Sequence, residues 1–115
     1  MDQHELKLRA LEFEEKAKMA KEEKNLDKAA EYFLKSAELY NKGDDERNYK
    51  FNHANHHSAA GKLFFFKKEY SKSADYFKNA ENLFIELNLR DPAFYCAVGR
   101  INSLYKSYHN DKKKD

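Results

Sequence analysis

His53 and His57 stand four residues apart, the spacing at which one helix face can present two imidazoles to a metal ion. A firm site needs a third ligand. On a helix His56 projects away from that pair, and no acidic residue occupies a neighbouring turn. The expectation is no metal site, with His53 and His57 as weak candidates and partly buried or surface histidines as the plainer reading. Cys96 and His109 have the residue types of a nucleophile and its base. Thirteen residues apart on one helix, they lie about 20 Å from each other. Cys96 therefore reads as a small buried core residue. The chain shows neither a glycine-rich phosphate loop nor a clustered carboxylate set. No catalytic residue, no cofactor and no enzymatic activity are expected.

The remaining chemistry is recognition. The run from Lys62 to Lys68, KLFFFKK, holds three successive phenylalanines between lysines. Adjacent residues on a helix are about 100° apart, so the three rings cannot share one seam. At least one of Phe65 and Phe66 is left for an open surface or for cover by another helix. An uncovered Phe flanked by Lys62, Lys67 and Lys68 suits a short peptide with an apolar anchor and acidic flanks.

These residues have to be positioned by helices. Only 3 Gly and 1 Pro occur in 115 residues, which leaves little turn chemistry for a β-protein. The chain is 41% hydrophobic and 15% aromatic, enough to fold despite 37% charged residues. The 22 basic and 20 acidic residues leave a net charge of +2, unlike the lopsided charge of a dedicated nucleic-acid or membrane-surface binder. One cysteine excludes an internal disulfide framework and fits a reducing compartment. The N-terminal MDQHELKLRALEFEEK has no uninterrupted apolar run, so neither signal peptide nor membrane span is expected. The expected location is cytoplasmic.

The strongest organising signal is a repeat. LDKAAEYFLKSAELY at Leu26–Tyr40 returns as YSKSADYFKNAENLF at Tyr70–Phe84, 44 residues later. Lys28/Lys72, Ala30/Ala74, Tyr32/Tyr76, Phe33/Phe77 and Leu39/Leu83 coincide. Each copy places apolar residues at helical spacing. An earlier helix carries Leu6, Ala10, Phe13, Ala17 and Ala20. A third, from about Glu46 to Lys67, includes Gly61, whose mid-helix cost of about 1 kcal/mol calls for the close approach of a neighbour. A fifth begins at Asp91-Pro92, a capping carboxylate before a tolerated first-turn proline. Its stripe is Phe94, Val98, Ile101, Leu104 or Tyr105, and Tyr108. The joints are Asn25, Asn41–Asp45 with Gly43 as the left-handed residue, Lys67-Lys68-Glu69, and Asn88–Pro92. The expected domain spans 1–109, as hairpins 2–41 and 46–88 and a terminal helix 91–109 that covers the second hairpin. A polar, disordered tail is expected over 110–115.

On these residues the chain resembles the tetratricopeptide repeat family. Phe13, Ala17 and Ala20 look like its first-helix signature, and Ala29, Phe33 and Ser36 like its second. Gly61 and Phe64, then Ser73, Phe77 and Ala80, fill the same places in the second unit. The offset of 44 exceeds that family's usual period of about 34 and looks more like the elongated repeats of SNAP-type vesicle-fusion adaptors. His57 also stands where a large apolar residue is usual. The resemblance implies an all-α fold of antiparallel hairpins, stacked as a short right-handed α-solenoid of five helices. It implies a protein–protein interaction adaptor with a concave groove. Leu11, Glu14, Lys18, Lys21 and Glu22 would line that groove from the first hairpin, and Asn55, Ser58, Lys62, Phe65 and Phe66 from the second. The carboxylate clamp of some family members is missing, since its places carry Glu14 and Ser58. One alternative is a three-helix domain like that of microtubule-interacting and trafficking proteins, which leaves the second copy of the motif unexplained. Another is weak nucleic-acid binding through Lys62, Lys67, Lys68, Lys72 and the tail lysines with nearby aromatics. Homo-oligomerisation through exposed aromatics is a third.

Overall fold

Every joint in the chain is built the same way, and the joints dictate the architecture. The computed structural model describes residues 1–113, which form five α-helices and no strand. These are α1 (Gln3–Glu22), α2 (Leu26–Lys42), α3 (Glu46–Phe66), α4 (Tyr70–Glu86) and α5 (Arg90–Lys113). Three residues separate each helix from the next, and the middle one is left-handed: Lys24 (φ 62), Asp44 (φ 58), Lys68 (φ 65) and Asn88 (φ 59). The third residue of each joint donates its N–H back to a carbonyl in the preceding helix. These bonds are Asn25 to Ala20 at 2.8 Å, and Asp45 to Tyr40, Glu69 to Phe64 and Leu89 to Phe84 at 2.9 Å. Such a joint satisfies carbonyls that a helix end leaves open, and it turns the chain back on itself. Asn25 and Asp45 then cap the next helix through their side chains, accepting from the N–H of Lys28 and of Asn48, both at 3.2 Å.

Three details differ from the sequence reading here. Gly43 keeps φ −88 and the left-handed place falls to Asp44, because the joint needs that conformation at the second residue after the helix end. α5 starts at Arg90 with Asp91 in its first turn, so Asp91 lies inside the helix. Pro92 is tolerated there, since first-turn N–H groups have no intrahelical partner. The helix also continues to Lys113. Residues 110–113 of the expected tail are therefore helical, while residues 114 and 115 lie outside the described residues.

Each helix packs on its neighbour in sequence, and α3 also touches α5. The chain is an all-α stack of antiparallel hairpins, with α5 standing against α4 as α3 stands against α2. The extents are 57 × 27 × 20 Å and the radius of gyration is 15.2 Å, above the roughly 13 Å of a compact domain this long. Small residues form the seams. Phe33 is buried with Ala17, Ala20, Ala29, Ala30 and Ala59. Phe77 is buried with Ala54, Ala80, Phe84, Ala93 and Cys96. Its ring lies between two glycines: a Cβ on Gly61 would stand 3.0 Å from it, and one on Gly99 2.9 Å. The close approach expected at Gly61 is thus made from two helices by one aromatic ring. Buried serines tie the backbones together. Ser36 Oγ donates to Ala10 O at 2.8 Å and Ser73 Oγ to Gly61 O at 2.6 Å, while Ser103, whose Oγ donates within α5 to Gly99 O, meets Ser73 Oγ at 2.9 Å.

Candidate binding surface

Three of the residues expected in the groove meet around one thiol. Lys21 of α1, Ser58 and Lys62 of α3 and Cys96 of α5 all interact electrostatically or by hydrogen bonding. Burial pushes the Cys96 thiol up, while the Ser58 hydroxyl bonded to it and the Lys62 and Lys21 ammonium groups pull it the other way. Cys96 is 3% exposed, and its thiol serves as the floor of this face. The Lys62 ammonium is held below the usual lysine range, first by partial desolvation among the helices and then by the charge of Lys21. Lys21 itself is exposed, and the repulsion between its charge and the partly desolvated Lys62 is what an arriving anion relieves.

The rest of the expected groove divides. Asn55, Ser58 and Lys62 share one face of α3 by their spacing, and Asn55 is half-buried. Phe66 is 73% exposed, so α5 does not cover it. Phe65 is half-buried and sits edge-on to Tyr70 at 5.3 Å and to Phe66 at 6.2 Å. Lys18 is exposed but engaged within α1, 3.4 Å from Glu15 and 3.8 Å from Glu14. Glu14 itself does not line the groove. It is buried, and its Oε1 accepts from Asn52 Nδ2 at 2.9 Å, a side-chain tie between α1 and α3. A charged residue on an apolar stripe reads as a surface residue until its buried donor, 38 positions away, is known.

Of the lysines considered for nucleic acid, Lys62, Lys67 and Lys72 do not form one platform, and the side chains of the tail lysines lie outside the described ones. Lys62 lies beside Ser58, Lys21 and Cys96. Lys67 and Lys72 instead lie over the ring of Phe64, at 5.5 and 4.3 Å from its centroid, and Phe64 also stacks on Tyr76 at 5.3 Å. That ring is already occupied by a lysine and a second aromatic, and offers no free face for a base.

The histidines gather more closely than their spacing implied. His56 does not project away: the ring centroids of His53, His56 and His57 lie 4.5–6.1 Å apart. His56 Nδ1 is 2.8 Å from Ala30 O, a contact that is a hydrogen bond when Nδ1 carries the proton. His57 Nδ1 is buried without a hydrogen-bond partner. Its pKa is lowered to about 4, first by burial and then by His53 and His56. Burial also lowers His53. Among the described residues no group of three or more His, Cys, Asp and Glu side chains is placed to hold a metal.

The surface missed by the sequence reading is on α5. Its apolar stripe points outward, with Phe94 66%, Ile101 57% and Tyr105 63% exposed. The face packed on the second hairpin is the small one, with Ala93, Cys96 and Ser103 buried and Gly99 against Phe77. Helix five therefore covers that hairpin with the side opposite to its large residues. The signal lay in the 44-residue offset, which puts α5 in the place of a first helix rather than a lid. Beside the stripe, Ile85 and Leu89 with Phe94 and Ala97 line a cleft of about 510 Å³. No family model, curated protein or solved structure matches the chain. No described helix is long and apolar enough to cross a membrane.

Proposed function

We propose that this chain is a non-catalytic interaction module, a tetratricopeptide-like stack of elongated hairpins that binds an acidic peptide or partner helix on its concave face. The observation that carries this reading is the partly desolvated Lys62 ammonium, with the like charge of exposed Lys21 acting on it beside Ser58 and Cys96, and the exposed Phe66 ring at the end of the Lys62 helix. A carboxylate seated between the two ammonium groups gains charge-assisted hydrogen bonds and removes their repulsion. An apolar side chain placed about a turn further along α3 reaches Phe66. The role is that of an adaptor working in a reducing cytoplasmic compartment, where Cys96 stays a thiol.

Fluorescence anisotropy with labelled acidic peptides carrying one aromatic or leucine anchor tests this. The expectation is saturable binding that weakens with salt. It should fall by roughly tenfold or more in Lys21→Glu with Lys62→Glu, and also in Phe66→Ala, with helicity unchanged. Equal binding of neutral peptides, or charge reversal without effect, would sink the proposal. So would tighter binding of a single-stranded RNA oligonucleotide with a steeper salt dependence.

A further inference from the structure

Of the thirteen exposed large hydrophobic side chains among the described residues, seven lie on α5. The internal repeat says what kind of place they form. At the 44-residue offset, Val98 and Tyr105 replace Ala54 and Gly61, both buried beneath α4. Ile101 replaces His57, which packs on Tyr76 of α4 at 5.6 Å. Phe94 replaces Lys50, which reaches Glu86 at the end of α4 at 3.2 Å. The outward face of α5 is thus the seat that α4 fills on α3, without an occupant from the described chain.

We propose that α5 of a second copy fills it, giving a two-fold dimer whose α5 helices run antiparallel and cross at Ile101. A helix like α4 does not fit this seat. Phe77 needs glycine at the equivalent of Tyr105, since it lies 3.0 Å from where a Gly61 Cβ would be. The occupant has to meet bulky side chains with a complementary spacing, and α5 does so with itself. A two-fold axis at Ile101 sets Val98 of one copy opposite Leu104 of the other, and Tyr105 opposite the small, half-buried Ala97. The antiparallel arrangement also opposes the two helix dipoles. The α5 side chains expose on the order of 600–800 Å² per copy, and the part facing the axis, which leaves out Tyr95, comes to the lower end of what one partner contributes to a specific interface. A two-fold contact uses the same patch on both copies and closes without further growth.

The test is mass in solution by light scattering and sedimentation, from micromolar to submillimolar chain. The wild type is expected at twice the mass of one chain. Ile101→Glu should weaken self-association by about 100-fold or more, with unchanged helicity because Ile101 is exposed in the single chain. Ile101→Cys should cross-link to a covalent dimer on mild oxidation, while the wild type, whose only thiol is the buried Cys96, does not. Lys21→Glu with Lys62→Glu should leave the mass unaltered, which separates this surface from the concave one. A wild type that stays monomeric at submillimolar concentration overturns the proposal. So does a dimer that survives Ile101→Glu, or a dimer in which Ile101→Cys fails to cross-link. Protection of the α5 stripe only by a helix of a different protein would also overturn it.

Discussion

Phe77 is the residue on which the second hairpin turns, because its ring touches backbone on both sides. Gly99→Ala would gain about 1 kcal/mol of helix propensity but place a methyl 2.9 Å from the ring, which cannot retreat from Gly61. We expect a net loss of about 1–3 kcal/mol, measured by urea unfolding, with Phe77→Leu in the same chain recovering part of it. His57 gives a second prediction. Its pKa is lowered to about 4 in the fold, against about 6.5 when unfolded. Between those values the unfolded chain binds more protons, so stability is full above about pH 6.5 and falls as pH drops toward 4. The full shift corresponds to about 3 kcal/mol, and solvent screening at a half-buried ring reduces this to about 1–2 kcal/mol. His57→Leu should flatten that part of the pH profile in thermal melts. An unaltered profile would place the acid sensitivity elsewhere. Gly61 was readable as a contact point because glycine inside a helix needs a reason. The rest of the clamp was not, since Gly99 becomes meaningful only once Phe77 is known to reach two helices.

At the scale of elements, the caps differ in quality. Asn25 and Asp45 accept a hydrogen bond from the first turn, while Glu69, at the same place before α4, makes no side-chain cap bond. Glutamate is one methylene too long for that reach. Glu69→Asp should therefore stabilise by about 0.5–1 kcal/mol and Asp45→Ala should destabilise by about 1 kcal/mol. Both are read from denaturant midpoints, and equal midpoints for the Glu69 pair would refute the assignment. Helix number, order and pairing were legible in the sequence because hydrophobic periodicity and the repeated motif agree. The facing of α5 was not. Periodicity reports that Phe94, Val98, Ile101 and Tyr108 share a side, and is silent on whether a neighbour exists there. The opposite side, with Ala93, Cys96, Gly99 and Ser103, is poor in large residues yet is the one that packs. Of the residues expected in the candidate groove, Lys21, Ser58 and Lys62 share an electrostatic neighbourhood around Cys96. Glu14 was misplaced because a buried hydrogen bond leaves no periodic trace.

At the scale of the whole molecule, each helix gains its support from the next one in sequence. Native-state hydrogen exchange should therefore be graded, with the slowest amides in α2, α3 and α4, each flanked on two sides, and faster ones in α1 and the far end of α5. Uniform protection across all five helices would contradict a nearest-neighbour stack. The four alike joints bear on how the chain reaches this state. Lys24, Asp44, Lys68 and Asn88 reverse the chain within three residues, so every hairpin closes a short loop and contacts run chiefly between helices adjacent in sequence. Chains whose contacts are this local fold in microseconds to milliseconds. A newly made chain would acquire structure hairpin by hairpin as it emerges, each new helix finding its support already in place.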